Sequence, residues 1–290
     1  NDSKELKMGV YVMLNPSKEN LDFINTVGVF DSLNLTVRCI KLFADGALGS
    51  RGALLTEPYT DAAFTTGLNL IQDDIFDKSF QIALAHDYQI AVHCIGDQAN
   101  RNVLTLYGNY LKENNDRRWR IEHAQIIHLE DLEQFAKYAI VPSIQPTHAT
   151  SDMYWADERL GKERLKNAYQ YKELLNWSGY VATGTDFPVE RINPILTFYA
   201  AAIRKDVDGY PGNGFQMENA LTRKDALKAM TIWAAKACFW EETKGSIEVG
   251  KYADIVVLNN DLLEAQQQEI PDIKVVMTIK NGEVVFEKTN

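Results

Sequence analysis

Cysteine is scarce: Cys39, Cys94 and Cys238 are the only three in 290 residues, far apart and without a C-x-x-C pair. That spacing argues against a disulfide framework and reads as buried free thiols of a reducing compartment, so a cytoplasmic location is expected. A dense Lys/Arg cluster is also missing, and 40 acidic against 30 basic residues give a formal charge of -10. Without a cationic face the chain has nothing to neutralise phosphates, which excludes nucleic acid and a polybasic membrane-surface role. No run reaches the roughly 18 apolar residues of a membrane helix, so no membrane partner is expected. The start, Asn-Asp-Ser-Lys-Glu-Leu-Lys, has neither the charged nor the apolar region of a signal peptide, and no initiator methionine. The expectation is a chain that begins inside a longer product, whose preceding part would carry any targeting segment. What is present is a composition 46% hydrophobic and 24% charged, that of an enzyme-sized globular chain with one large domain or one domain and a small companion.

Short apolar runs alternate with stretches whose apolar residues recur every three or four positions, the pattern of parallel strands joined by helical crossovers. Strands are expected over 8–14, 36–43, 89–93, 118–123, 139–145 and 180–185, with one-sided helices over 73–86 and 99–114 among the connections. After Asn193 the texture changes. Thr222 is placed to cap, and Asp225 to support, a single long helix running through Ala226, Leu227, Met230, Trp233, Ala234 and Ala237. A compact β region follows, with strands over 255–258, 275–279 and 284–286 and a hairpin signal at Asn281-Gly282. A boundary near residue 240 therefore separates a domain of residues 1–240 from a small β domain of residues 241–290.

Several strands end on a polar residue followed by a Gly or Pro turn: Lys41, His93, His123, Gln145 with His148 close behind, and Asp186. Alone, each has an ordinary reading, since a strand-end histidine is usually hydrogen-bonded structure and an aspartate before a turn is usually a cap. In a parallel barrel, however, strand C-terminal ends form one rim, and imidazoles with a carboxylate are what a zinc-like ion binds. Lys41 is the odd member. Among Val37, Ile40, Leu42 and Phe43 its ammonium must reach water, pair with an acid or do chemistry. His86, near a helix end, and His128, in a loop, read as structural or solvated.

The segments K-L-F-A-D-G-A-L-G-S-R, V-H-C-I-G-D, R-I-E-H-A, Q-P-T-H, G-T-D-F-P-V and G-S-I-E-V-G-K-Y-A-D-I-V-V-L, in that order, resemble the amidohydrolase superfamily. Within it they are similar to the branch often labelled amidohydrolase family 3, which includes N-substituted formamide deformylases. The resemblance runs from about residue 8 to 290. It implies a metal-dependent α/β enzyme, a TIM (β/α)8 barrel with a small β-sandwich, that hydrolyses C–N bonds of an amide-like small molecule. It further implies that Lys41 takes up CO2 as a carbamate that bridges metal, that His93 and His123 are metal ligands, and that Asp186 both binds metal and moves the proton of the attacking water. The ion would be zinc, with Fe, Mn and Co also suited to such ligands, in one or two copies. Loop residues Arg51, Gln145, His148 and Trp155, with Tyr154, are candidates for substrate contact.

The sequence departs from that pattern in lacking a His-x-His pair. The six expected strands then correspond to the third through eighth of the barrel, with part of the β-sandwich, as in the C-terminal portion of a longer enzyme. Open barrel edges would need cover, and a second copy of the chain as a homo-oligomer is one way to supply it. An alternative reading is an inactive amidohydrolase-like fragment that serves as an interaction module. A third, a metal-free lyase or isomerase using Lys41 as a Schiff-base amine, leaves His93, His123 and Asp186 unused.

Overall fold

The computed structural model describes residue 6 and residues 8–289. In chain order the elements are β1 (Val10–Leu14), α1 (Lys18–Val27), β2 (Phe30–Asp31), β3 (Leu35–Phe43), α2 (Asp73–His86), β4 (Gln89–Cys94), α3 (Asp97–Tyr110), β5 (Arg120–His123), α4 (Glu133–Lys137), β6 (Val141–Ile144) and α5 (Pro146–Asp152). They continue with α6 (Ala156–Leu165), α7 (Tyr171–Ser178), β7 (Ala182–Thr183), α8 (Pro194–Ile203), α9 (Arg223–Ala229), α10 (Ile232–Ala237), β8 (Ile255–Leu258), β9 (Val275–Lys280) and β10 (Glu283–Glu287). Two compact units emerge, one from residues 10–144 and 152–181 and the other mainly from 145–151 and 182–289.

In the first unit β1, β3, β4, β5 and β6 pair in parallel in that order, and the short β2, which the sequence did not announce, lies antiparallel on β3. β4 shows why: in Gln89-Ile-Ala-Val-His-Cys every residue but His93 is buried, as a strand covered on both faces requires. The crossover α2 spans the residues expected of it and buries Phe76, Phe80 and Ala83 along one stripe. Phe80 packs against Trp119 and Tyr110 at ring-centroid distances of 5.1 and 5.0 Å, and the Trp119 Nε1 donates to the Tyr88 carbonyl at 3.2 Å. Cys39 and Cys94 are buried free thiols in this unit. Among the described residues no helix is long and apolar enough to cross a membrane.

The second unit corrects the expected long helix. Thr222 caps α9 as foreseen, its Oγ1 accepting from the Asp225 N–H at 3.1 Å, but the helix stops at Ala229 and a new one, α10, begins at Ile232. Thr231 lies between them with φ -124° and ψ -99°, outside helical space, and its hydroxyl donates to the Leu227 carbonyl at 2.6 Å. A β-branched residue that bonds back four residues competes with the helix ladder. Cys238, expected to be buried, is half-buried at the end of α10. Beyond it β8, β9 and β10 form a three-stranded antiparallel sheet, turned at Asn281 and Gly282, both with left-handed φ (52° and 82°) as a two-residue hairpin demands.

Candidate active site

In the first unit three adjacent strands end in the residues that matter. Lys41 lies opposite Ala91 and Ala91 opposite Arg120; one row further, Phe43 lies opposite His93 and His93 opposite Glu122. Alternation therefore puts Lys41, Phe43, His93, Arg120 and Glu122 on one face of the sheet. His123, next along β5, would point the other way in a regular strand. It does not: His123 and Ala124 both have left-handed φ (77° and 44°), and the His123 ring meets the His93 ring edge to face, centroids 4.5 Å apart. Consecutive left-handed non-glycine residues cost about 1–2 kcal/mol each and persist where the surroundings hold them. Here the surroundings do: the Gln125 carbonyl accepts from Tyr169 N–H at 2.7 Å, the Gln125 amide donates to Tyr169 and Asp152, and Ile126 N–H donates to the Ile95 carbonyl at 3.0 Å.

Phe43 joins the lysine to the histidines. The Lys41 Nζ sits 4.7 Å from the Phe43 ring centroid, and the His93 ring 5.4 Å from it. Phe43 itself is 52% exposed, unusual for a phenylalanine that ends a sheet strand. Burial lowers the Lys41 pKa, while the Glu122 carboxylate pulls it the other way. Among the described residues Lys41 makes no hydrogen bond or ion pair, because the buried Glu122 is paired with Arg120, Nε to Oε1 at 3.1 Å.

Asp45, the acid of the K-L-F-A-D-G segment, is 1% exposed. Its carboxylate accepts from three backbone N–H groups: Oδ2 from Gly96 at 2.7 Å and Leu54 at 2.9 Å, Oδ1 from Ile95 at 3.0 Å. Burial pushes its pKa up to about 7 against the pull of those donors. The same Oδ1 is 3.5 Å from His93 Nε2, which is also 3.4 Å from the Gly46 carbonyl. Gly96 is required there, since a Cβ on it would come within 2.0 Å of the Leu54 oxygen.

Other expected positions have other neighbours. Arg51 donates twice to Asp61, at 3.1 and 2.8 Å, and Arg159 pairs with the same carboxylate. The Trp155 ring packs over Gly49 and lies 5.6 Å from the Arg159 guanidinium. Tyr154 is exposed. His128 pairs with Asp97 at 2.8 Å, and Asp97 also accepts from the Thr56 hydroxyl at 2.6 Å, tying two loops to the start of α3. His86 closes the last turn of α2. In the second unit Gln145 is buried and its carbonyl accepts from His148 N–H at 3.0 Å. His148 Nε2 lies 3.7 Å from Asp186 Oδ2, and burial drops the histidine pKa to about 4, so the ring is neutral at pH 7. Asp186 has left-handed φ (55°), and its carbonyl accepts from Val189 N–H at 2.8 Å.

Among the described residues no three His, Cys, Asp or Glu side chains converge as a metal-ligand group. What gathers in the first unit is two imidazoles and one amine. That set suits a divalent metal once the amine becomes an anionic oxygen donor, since a bare ammonium repels a cation.

Known proteins give the same direction. The Bacillus subtilis protein YtcJ is 34% identical over 250 residues, which are 86% of this chain and 47% of that protein. N-substituted formamide deformylase of Arthrobacter pascens is 27% identical over 205 residues, 69% of this chain and 37% of the enzyme. A crystal structure of an uncharacterized metal-dependent hydrolase from Pyrococcus furiosus superposes with a TM-score of 0.78 at 33% identity, covering 89% of this chain and 52% of that one. The chain thus spans about half the length of the proteins it matches, and its α/β fold is that of an incomplete amidohydrolase barrel with a small antiparallel sheet. With the model of the Amidohydrolase family matching residues 2–286, the chain belongs to that family.

Proposed function

We propose that this chain carries the larger part of the site of a metal-dependent hydrolase that cleaves C–N bonds of an amide-like, non-peptide small molecule. The observation that carries the reading is the edge-to-face pair of His93 and His123, made possible by left-handed backbone at His123. Lys41, His93 and His123, which share one unit, would hold the ion, zinc being the choice and Fe, Mn or Co alternatives, and Asp186 as a further ligand is what the resemblance to the family implies. Bound there, the ion would supply Lewis acidity and lower the pKa of a water molecule.

The residues do the rest. Burial favours the neutral Lys41 amine, the form that adds CO2; its nitrogen bonds the carbon and releases a proton, leaving a carbamate. The role the resemblance implies for Asp186, 38% exposed, is that of the base that would take a proton from water and pass it to the leaving nitrogen. Neutral His148 beside Asp186 and Gln145 are substrate-contact candidates of the second unit, and Arg51 and Trp155 are those of the first. The small β domain begins near residue 240. The same reading takes the substrate to be a small molecule, nucleic acid to be no partner, the location to be cytoplasmic, and a second copy of the chain to cover the open sheet edges.

The test is turnover of N-formyl and N-acyl amines by chain loaded with Zn2+ and bicarbonate. Asp186→Asn should lower turnover by about 10²–10⁴-fold and keep most of the metal. Equal turnover in the variant removes Asp186 from the reaction. A second reading, an inactive module for interaction, is favoured by the lack of three converging ligands among the described residues, and it predicts no turnover of any such amine.

A further inference from the structure

The chain leaves β5 through His123 and Ala124, both left-handed, and Gln125 follows them. Tyr169, on the segment that leads into α7, holds Gln125 at two points. Its N–H donates to the Gln125 carbonyl at 2.7 Å, and its hydroxyl accepts from Gln125 Nε2 at 3.2 Å. Asp152 fixes the direction of that hydroxyl: its Oδ2 accepts from the Tyr169 O–H at 2.8 Å and from the same Gln125 Nε2 at 3.3 Å. The three side chains close a triangle in which each donor meets an acceptor, and Gln125 and Tyr169 are buried. Tyr169 is itself left-handed, with φ 57°. The pairing runs on beyond Gln125, where Ile127 N–H donates to the Asn167 carbonyl at 3.0 Å and Gln170 Nε2 to the Ile127 carbonyl at 2.9 Å. All of these residues belong to the first unit.

A single bond to Gln125 would let its peptide pivot, whereas bonds to both its carbonyl and its side-chain amide do not. With ordinary extended angles at His123 and Ala124, strand alternation would return the His123 ring to the face away from His93 and draw Gln125 off Tyr169. The left-handed pair and the triangle are therefore kept together or lost together. We propose that Tyr169, oriented by Asp152, is a positioning residue for His123, keeping its ring on the face of the sheet that carries Lys41 and His93. The inference deepens the hydrolase reading and rests on it for what the ring would hold; the position of the ring stands on geometry alone. Groups that orient a ligating histidine are worth about 10–100-fold in metal affinity.

Proton NMR on metal-free protein reads the ring position through cross-relaxation between the His93 and His123 rings, whose centroids are 4.5 Å apart. Their lines are those lost in His93→Gln and in His123→Gln. The unaltered chain should show the cross-peak, and its absence overturns the proposal. Tyr169→Phe removes one hydroxyl and keeps the aromatic ring; it should lose the cross-peak while circular dichroism stays unchanged. A folded Tyr169→Phe that keeps the cross-peak, whatever its stability, is the contrary result. Asp152→Asn retains an oxygen for the Tyr169 hydroxyl and should keep the cross-peak, whereas Asp152→Ala should lose it. Equal behaviour of those two overturns the proposal even where Tyr169→Phe fails to fold. Calorimetric titration with Zn2+ should show affinity down about 10-fold in Tyr169→Phe, with no further loss when Tyr169→Phe is added to His123→Gln. An equal loss in both backgrounds would make Tyr169 a structural residue only. Absence of Zn2+ binding by the unaltered chain would count against the hydrolase reading, and the cross-peak would still decide the role of Tyr169.

Discussion

Gly96→Ala makes the sharpest demand on the structure around β4. The added methyl would sit 2.0 Å from the Leu54 oxygen, 2.4 Å from its carbon and 2.6 Å from its nitrogen, and these are backbone atoms that cannot rotate aside. Ordinary contact begins near 3.4 Å, so Leu54 must retreat by more than an ångström. Leu54 N–H donates to Asp45, and the Leu54 carbonyl accepts from Gln98 and Ala99 at the start of α3, so all three bonds stretch. Overpacking costs about 1–3 kcal/mol, and loss of a hydrogen bond to a charged group about 1.5–3 kcal/mol. We expect a loss of about 4 kcal/mol, a large share of the roughly 5–15 kcal/mol that a protein typically has. Urea unfolding followed by tryptophan fluorescence and circular dichroism measures it, with Gly212→Ala as the comparison because nothing lies within 4 Å of a Cβ there. Gly212→Ala should fall within about 0.5 kcal/mol of the unaltered chain. A Gly96→Ala midpoint matching that of Gly212→Ala would refute the packing argument.

Two further outcomes follow from single residues. His148 takes its proton at about 4 when folded and near 6.5 when unfolded, so the unfolded chain binds more protons between those values. Stability should therefore fall as pH drops from about 6.5 to about 4, by about 3 kcal/mol at most, and His148→Gln should flatten that part of the stability profile. Thr222→Ala removes the α9 cap and should cost about 1 kcal/mol in the same urea experiment, whereas a negligible change would mean that the cap bond is idle.

Burial patterns explain what could be read in advance. Strands such as β4 are apolar runs with a polar end, and α2 has its apolar stripe, so both were visible from residue spacing. The break at Thr231 was not, because Met230-Thr231-Ile232 continues the apolar period while the conflict lies in one hydroxyl bonding back to Leu227. The candidate site divides in the same way. Lys41, His93 and His123 stood out as polar groups ending apolar strands, but the backward turn of His123 depends on φ angles held by Gln125 and Tyr169. Asp45 was hidden for another reason: an Asp-Gly pair has the composition of any turn, and three accepted N–H bonds leave no trace in a one-dimensional pattern.

Metal content per chain tests the central claim most directly, measured by plasma mass spectrometry on protein purified without chelators in the presence of bicarbonate. We predict one or two equivalents of transition metal, lost in Lys41→Ala and in His123→Ala with the fold retained by circular dichroism. Metal-free protein after loading with Zn2+, or bound metal that both variants keep, would contradict a site built on Lys41, His93 and His123.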